Sequence, residues 1–338
     1  MSHLDRARGA LAGLALGDAY GMPTQSMSPA AIRRDYGTVD ALVDAGPHQV
    51  IAHGMPAGSV TDDTEQALLV AELLVRGRGN VEPAALAQAL RRWEESMRRR
   101  GSLDLLGPSS RAAIEALADG ADPRETGRNG ATNGAAMRVA PVGIATATSE
   151  PEAFIDAVAA TCLVTHNTGL AISGAVAVAA VVSAGIDGRP MADSLDVALR
   201  LADDARGRGH WFAGASVADR TRWAQHSSAQ LSETEFSAFL TEVIGTSVQT
   251  QESVVAALLL ADRYAEDPRR AVQLAAMLGG DTDTIAAMAG AMIGAHVGYA
   301  ALPQSDLHLI ASVSQLDLTE YAEPLLALRS RHAASPSS

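Results

Sequence analysis

Gly279-Gly280-Asp281-Thr282-Asp283-Thr284 places two carboxylates and two hydroxyls directly in front of a long apolar stretch. That stretch, residues 285–294, is apolar on every face, which predicts a helix buried in the core. The paired glycines allow a tight turn and a close backbone approach. Ionised carboxylates are costly to bury unless they are paired or metal-bound, and carboxylate and hydroxyl oxygens suit Mg²⁺, Ca²⁺ or Mn²⁺. The sequence therefore predicts a cation site at the start of a core helix.

A second motif of the same chemistry, Thr61-Asp62-Asp63-Thr64, opens another helical stretch far upstream. Helix capping is the simpler explanation for either motif, since Asp and Thr are good N-cap residues and Asp62 has capping-box spacing to Glu65. Capping needs one carboxylate per helix, however, whereas each motif carries two. We therefore expect four carboxylates to converge on a pair of cations, which in binuclear sites lie about 3.5–4 Å apart, activate water and orient a substrate.

Composition and pattern both favour a chain built from helices. The 338 residues are 47% hydrophobic but only 4% aromatic, so aliphatic side chains must form the core, as in closely packed helices. We find no convincing strand pattern, since the short alternation at 139–144 is interrupted by Pro141 and Gly143. The acidic motifs stand near opposite ends of the chain, so one shared site requires one domain. We predict a single all-α domain over residues 1–332 and a disordered tail at 333–338.

Helical periodicity and turn residues give a coarse map of the elements. A loop rich in Gly and Pro is expected at 17–25, and a long irregular segment at 36–58. Helices are predicted at 4–16, 65–74, 83–99, from 107 onward, 154–164, 169–184, 197–205, 233–243, 254–264, 270–278, 285–294 and 318–331.

Charge, cysteine content and apolar runs limit the partners and the compartment. The net charge of −13 gives no general attraction to nucleic-acid phosphates, although a local nucleotide pocket stays possible. The single cysteine, Cys162, rules out an intrachain disulfide, fits a reducing compartment and is best explained as a buried thiol. No signal peptide precedes the first helix, and the apolar run at 176–182 is interrupted by Gly185 and Asp187 before it reaches membrane-spanning length. We expect a cytoplasmic protein with no membrane contact, and the sequence leaves its oligomeric state open.

Three further sites have both a structural and a functional explanation. The segment Asn129 to Arg138 contains two Asn-Gly pairs, which suit either a phosphate-binding backbone nest or an ordinary loop. Asp18 is either a turn residue or part of a site, and His166 is either a hydrogen-bonded structural residue or a ligand-binding one.

Four motifs together resemble the ADP-ribosylglycohydrolase family, to which dinitrogenase reductase-activating glycohydrolase belongs. They occur in the family's order over nearly the whole chain: Gly17-Asp18-Ala19-Tyr20-Gly21, Thr61-Asp62-Asp63-Thr64, Asn133-Gly134-Ala135-Ala136-Met137-Arg138 and Gly279-Gly280-Asp281-Thr282-Asp283-Thr284. The resemblance implies a compact orthogonal bundle of helices, a binuclear Mg²⁺ or Mn²⁺ centre, and hydrolysis at the anomeric ribose carbon of an ADP-ribosyl group.

The resemblance also implies a role for each candidate site residue. The implied metal ligands are Thr61, Asp62, Asp63, Asp281, Asp283 and Thr284. Either Asp62 or Asp283 would accept the proton of the attacking water, and the sequence does not choose between them. The implied substrate-binding residues are Asp18, Gln25, the diphosphate-binding loop Asn133, Gly134, Ala135, Ala136 and Met137, and His166 on the nucleoside side.

One position departs from the family pattern and keeps other substrates open. Many members carry Glu where this chain has Gln25, and an amide can bond a sugar hydroxyl but cannot accept a proton as a base. The departure places the usual ADP-ribosyl-protein substrate in doubt. A nucleoside or other small N-riboside is therefore an alternative substrate. A non-catalytic role like that of the lens crystallins derived from this family is a further alternative, which the intact acidic motifs disfavour.

Overall fold

The structure is a computed structural model that describes residues 1–101 and 106–334. Its regular elements in this part of the chain are α-helices, a few short 3₁₀ turns and one π-helical turn, with isolated bridges in place of strands. The first eight helices are α1 (His3–Gly21), α2 (Pro29–Tyr36), α3 (Asp62–Arg76), α4 (Pro83–Arg99), α5 (Pro108–Ala118), α6 (Ala140–Ala145), α7 (Pro151–Cys162) and α8 (Gly169–Ile186). The remaining helices are α9 (Met191–Ala205), α10 (Val217–Ser228), α11 (Glu233–Phe239), α12 (Thr250–Arg263), α13 (Pro268–Met277), α14 (Thr282–Val297), α15 (Gln304–Ser314) and α16 (Ala322–Ala334).

The all-α prediction is confirmed, and several boundaries move. Helix α1 runs five residues past its predicted end, so Asp18 lies within a helix and the predicted loop at 17–25 is wrong in its first half. Small residues explain the error, because glycine reads as a turn in sequence but here permits close helix packing. Helices α2, α6, α10 and α15 were not predicted, since they are short or have a weak apolar pattern. The irregular segment at 37–61 contains no helix, as expected.

Helices α1 and α14 form the most extensively packed pair of the domain. Their backbones approach so closely that a Cβ added to Gly13 would lie 2.2 Å from the carbonyl oxygen of Gly290, and Gly9 meets Gly294 in the same way. About two turns beyond Gly13, a Cβ at Gly21 would lie 2.4 Å from the backbone of Asp283. The contact therefore brings the end of α1 to the start of α14, where the second acidic motif stands.

Helix α8 is a core helix in which every residue is buried. It continues through Gly185 to Ile186, so the expectation that its apolar run stops short is wrong. By length and composition it is the one described helix apolar enough to cross a membrane, yet all of it is enclosed by the rest of the protein.

The C-terminal boundary and the cysteine complete the comparison with the sequence. Helix α16 continues to Ala334, two residues beyond the predicted end of the domain, and the rest of the predicted tail, 335–338, lies outside the described residues.

Cys162 is buried at the end of α7, and burial raises the pKa of its thiol to about 12. A thiol in that state is an inert core side chain, as predicted.

Candidate active site

A cavity of about 240 Å³ lies where the two acidic motifs meet the Asn133 loop. Its other walls come from residues 25–26, from Ile51 in the irregular segment, and from the start of α5. The sequence-predicted residues that line it are Gln25, Asp62, Asn133, Gly134, Met137, Asp281, Asp283 and Thr284. The remaining predicted residues, Asp18, Thr61, Asp63, Ala135, Ala136 and His166, are buried behind these walls.

Asp18 anchors the start of α3 and does not reach the cavity. Its carboxylate accepts hydrogen bonds from the backbone N–H and the hydroxyl of Thr61, at 3.0 and 2.8 Å, and from the same two groups of Thr64, at 3.1 and 2.5 Å. Burial raises the pKa of Asp18 to about 6, although these four donors act in the opposite direction. Direct contact between Asp18 and a substrate is therefore not supported. Asp18 instead positions the first acidic motif.

The capping alternative explains Thr61 but not Asp62. Thr61 is the N-cap of α3, and its hydroxyl oxygen accepts from the backbone N–H of Asp63. The capping box expected from the spacing of Asp62 and Glu65 is absent, because the Glu65 carboxylate accepts bonds from Trp93 and Arg100 instead. Asp62 lines the cavity, and Gln66 donates to its Oδ2 at 3.0 Å.

The turn before α14 requires its two glycines. Gly279 and Gly280 have φ angles of +75° and +76°, and a Cβ at Gly280 would lie 2.2 Å from the carbonyl oxygen of Thr246. The following residue is held by a bond from the Asp281 backbone N–H to the same carbonyl at 2.7 Å. The Thr282 hydroxyl then donates to the carbonyl of Gly21 at 2.9 Å, which ties the start of α14 to the end of α1.

Asp63 is the point at which the two acidic motifs join. Its side chain is fully buried, and its Oδ2 accepts from the hydroxyls of Thr61 at 3.3 Å and Thr284 at 3.2 Å. Its Oδ1 has no hydrogen-bond partner among the described residues. Burial raises the pKa of Asp63 well above its usual range, and the nearby charges, first that of Asp283, raise it further. The expected convergence of the two motifs is therefore confirmed.

The chemistry of these groups fits a hard cation, although the described residues hold no preformed cage. Within 1–101 and 106–334, no group of three or more Asp, Glu, His or Cys side chains is gathered closely enough to hold an ion as it stands. The donor set nevertheless consists of carboxylate and hydroxyl oxygens, the ligands that Mg²⁺ and Mn²⁺ prefer. The partnerless Oδ1 of Asp63 is a buried acceptor that a cation would satisfy.

The Asn133 loop lines the cavity and is supported from behind by His166. The Asn133 amide donates to the Ser253 hydroxyl at 2.9 Å and to the Asp281 carboxylate. His166 is fully buried, and a Cβ at Gly134 would lie 2.9 Å from its Cε1, so its ring packs against the loop backbone. Burial and the charge of Arg138 lower the pKa of His166 well below its usual range, which keeps the ring neutral. The expected contact of His166 with a substrate is not supported, and the structure favours its structural explanation.

Gln25 presents an unsatisfied donor to the cavity. The side chain is 5% exposed, and its Nε2 has no hydrogen-bond partner among the described residues. The residue is held in place through its backbone, where the carbonyl accepts from Gln49 Nε2 at 2.8 Å. A buried donor without a partner costs about 1–3 kcal/mol, so an acceptor supplied by a ligand would be strongly favoured here.

Sequence reasoning missed several residues of the cavity wall. Ile51, Ser110, Arg111 and Val248 line it, but none belongs to a motif with recognisable chemistry. The only signal was the helix start at Gly107-Pro108, which was predicted without a connection to the site. Ile51 and Val248 reach the cavity from loops and Ser110 and Arg111 from the first turn of α5, and periodicity does not encode where these segments lie.

An all-α domain in which carboxylates from two helix starts line one cavity suits carboxylate-assisted hydrolysis. Comparison with known proteins identifies the family. The ADP-ribosylglycohydrolase family model matches residues 1–334. The chain therefore belongs to the ADP-ribosylglycohydrolase family, whose members are hydrolases.

Individual relatives cover almost the whole chain. An uncharacterised protein of Escherichia coli K12, YegU, is 35% identical, over 98% of this chain and 99% of its own length. The ADP-ribosylarginine hydrolase Tri1 of Pseudomonas putida GB-1 is 30% identical, over 91% of this chain and 75% of its own length. A solved structure of an ADP-ribosylglycohydrolase-related protein complex has a TM-score of 0.70 at 26% identity, and the match covers 97% of this chain and 99% of that one.

Proposed function

We propose that this protein hydrolyses the glycosidic bond at the anomeric ribose carbon of an ADP-ribosyl group, with two Mg²⁺ or Mn²⁺ ions as cofactors. The observation that carries the proposal is the bond between Thr284 and Asp63, because it joins both acidic motifs at the wall of one cavity. Asn133 and Gly134 line the cavity next to the second acidic motif, and the loop backbone at Gly134 is suited to an anionic, sugar-containing ligand. The similarity to the ADP-ribosylarginine hydrolase of Pseudomonas putida supports an ADP-ribosylated substrate.

The groups that would hold the cations are Asp62, Asp63, Asp281, Asp283 and Thr284. Cations bound there would polarise water and ribose hydroxyls and offset the charge that develops as the anomeric bond breaks. Thr61 is less suited to the ligand role that the family resemblance implies, because its hydroxyl donates to Asp18 at 2.8 Å.

The remaining chemistry belongs to the chain's own side chains. Asp62 and Asp283 both line the cavity, and either carboxylate can receive the proton of the attacking water. The backbone of Gly134 would bind phosphate oxygens, while the Asn133 amide holds Asp281 and Ser253. Gln25 Nε2 would donate to a sugar oxygen and thereby orient the ribose ring.

A small N-riboside is the second candidate substrate. The cavity volume of about 240 Å³ lies below the roughly 300–1,000 Å³ of typical ligand sites, so it suits a riboside better than a whole ADP-ribosyl group. Gln25 also supports a riboside substrate, because it places an amide near the sugar where many family members carry a carboxylate. An ADP-ribosyl substrate would have to extend through the mouth of the cavity.

A side-by-side turnover assay distinguishes these substrates. ADP-ribosyl-arginine, ADP-ribosyl-serine, ADP-ribose phosphate esters and simple nucleosides are each incubated with Mg²⁺, Mn²⁺ or EDTA. We expect cation-dependent release from at least one ADP-ribosylated substrate and a higher kcat/KM for it than for nucleosides. Faster turnover of nucleosides would support the second candidate. Absence of both turnover and cation binding at millimolar metal would contradict an enzymatic function and favour a crystallin-like role.

A further inference from the structure

Arg138 is a buried cation beneath the cavity without a carboxylate partner in an ion pair among the described residues. It lies between the Asn133 turn and α6, and it is 1% exposed. One guanidinium nitrogen donates to Gln66 Oε1 at 2.8 Å and another to the Thr165 hydroxyl at 2.7 Å, while Nε has no partner in this part of the chain. Burying a cation costs free energy. The position of Arg138 and the two hydrogen bonds that it makes there therefore need an explanation.

The first bond fixes the orientation of Asp62. Arginine can only donate, so the Gln66 amide must turn its oxygen toward Arg138. The amide nitrogen of Gln66 then points the other way and donates to Asp62 Oδ2 at 3.0 Å. Arg138 thus determines, through one intermediate side chain, which face of the Asp62 carboxylate is held and which is presented to the cavity.

The second bond favours one tautomer of His166. While the Thr165 oxygen accepts from Arg138, its own hydrogen can be donated to Nδ1 of His166, 2.8 Å away. The proton of the neutral ring then resides on Nε2, which donates to the Thr132 hydroxyl at 3.0 Å. Thr132 in turn donates to the Ser109 hydroxyl at 2.9 Å, so every bond of the chain points in one direction.

This second chain ends at the substrate side of the site. Thr132 lines the cavity beside Gly134, whose backbone packs against the His166 ring. The two chains leave the same guanidinium, one toward the acidic motif on α3 and one toward the Asn133 loop.

We infer that Arg138 is a positioning residue that orients Asp62 through Gln66 and the Asn133 loop through Thr165 and His166, and so aligns the two halves of the site. The roles of these two halves rest on the proposed function, whereas the hydrogen-bond directions do not. A lysine has the charge but not the planar fork that serves two diverging acceptors. Geometry, rather than charge alone, is therefore what Arg138 contributes.

The principal test is the Arg138→Lys variant, with Arg329→Lys as the matched control. Arg329 is the other buried arginine of the described residues, at 7% exposed, and it bonds to Asp187 and to backbone carbonyls near α6 and α8. Three quantities are measured in each protein: the Kd for Mn²⁺, the Kd for ADP-ribose without metal, and the ¹⁵N shifts of the His166 ring, assigned with a His166→Gln variant. We expect Arg138→Lys to weaken both affinities by roughly 10–100-fold, as for other partners that support ligands. We also expect it to lose the Nε2–H tautomer, whereas Arg329→Lys changes only the Tm.

Two milder variants separate the chains and serve if Arg138→Lys does not fold. Gln66→Met should weaken Mn²⁺ binding by about tenfold and leave ADP-ribose binding unchanged. Thr165→Val should weaken ADP-ribose binding by about tenfold, leave Mn²⁺ binding unchanged and shift the His166 tautomer. If each variant impairs both affinities equally, the assignment of two separate hydrogen-bond chains is overturned.

The outcomes distinguish this inference from the proposed function. If wild-type protein binds neither Mn²⁺ nor ADP-ribose, the proposed function fails, and the His166 tautomer still reports whether Arg138 directs the hydrogen bonds. If Arg138→Lys retains the tautomer and both affinities within about twofold, the inference is overturned. Equal losses in Arg138→Lys and Arg329→Lys, in parallel with Tm, would make Arg138 a structural residue only.

Discussion

Asp63 shows how its neighbours determine the chemistry of a single residue. On a surface helix the same carboxylate would cap the helix end or repel a neighbouring acid. Here it is buried and lies near the charges of Asp283, Asp62, Asp18 and Asp281. Two hydroxyls satisfy one of its oxygens, and the other has no partner in the described chain. Clustered carboxylates repel one another, and either a proton or a cation offsets that repulsion.

Removing one charge from this cluster tests its role directly. We expect Asp62→Asn and Asp283→Asn each to abolish cation-dependent hydrolysis, because each replaces an anionic oxygen while keeping volume. In the absence of metal the Tm of each variant should equal or exceed that of wild type, since one like-charge repulsion is removed. The exposed Asp219→Asn, at the start of α10, is the control. Activity within about tenfold of wild type, or roughly 1.4 kcal/mol of barrier, would exclude that carboxylate as base or essential ligand.

The unsatisfied amide of Gln25 makes a second prediction at this scale. Gln25→Glu exchanges a donor for a negative charge and a proton acceptor beside the reacting centre. We expect the ratio of kcat/KM for ADP-ribosyl and simple riboside substrates to change at least fivefold, with little effect on Tm. The measurement uses saturating Mg²⁺ and Mn²⁺ for both substrate classes. An unchanged ratio would mean that Gln25 does not face the ribose.

At the scale of elements, the contact between α1 and α14 depends on glycines. A Cβ at Gly13 would meet the Gly290 carbonyl oxygen at 2.2 Å, and a backbone atom cannot move aside as a flexible side chain can. Gly13→Ala should therefore lower the free energy of unfolding by about 3 kcal/mol, the upper part of the range for overpacking a core. Gly207→Ala is the control, because nothing lies within 4 Å of its Cβ position, and we expect a change below about 1 kcal/mol. Urea denaturation of both variants measures the difference, and equal stabilities would contradict the close packing.

A second contact between elements is sensitive to pH. Glu233, at the start of α11, accepts bonds from Arg270 on α13 and from the Tyr264 hydroxyl after α12. The bond from Arg270 is the main cause that lowers the pKa of Glu233 from 4.5 to about 2. A lowered pKa stabilises the fold above pH 4.5, and this contribution is lost as the pH falls from there toward 2.

Glu233→Gln tests this contact. The glutamate side chain is 41% exposed, so we expect a loss of no more than about 1 kcal/mol at pH 7 and a smaller one at pH 3. The exposed Glu266→Gln, in the turn before α13, is the control. A loss that is the same at both pH values would show that the ionised form of Glu233 is not what α11 and α13 require.

For the whole molecule, the site links the start of α3 to the start of α14 through a core that extends over the described chain. Helix α1 holds both, because Asp18 bonds the start of α3 and Gly21 accepts from Thr282. We therefore expect one cooperative thermal transition in calorimetry, with equal calorimetric and van't Hoff enthalpies. Cation at about 100 times its Kd should move the whole transition and add about 2.7 kcal/mol of stability. Two separate transitions, of which the cation shifts one, would contradict the single-domain prediction.

The sequence alone determined the class of fold, and it predicted the residues that line the cavity from both acidic motifs. Apolar periodicity with few aromatics predicted helices, and most of their positions are confirmed. Two doubled acidic motifs, each before a helix, predicted one shared site, because two carboxylates exceed what capping needs. These inferences succeed because periodicity and local chemistry are properties of neighbouring residues.

Only the tertiary structure decided which predicted residues face the cavity. Asp18 and His166 have the polar character of site residues, yet both are buried and bond to the segments that form the wall. Gln66 gave no signal, and Arg138 closed the Asn133 motif without an assigned role, because their importance lies in hydrogen bonds between segments distant in sequence. The direction in which a side chain points depends on how closely helices pack, and here that distance is set by the glycines of α1 and α14, whose partners the sequence does not specify.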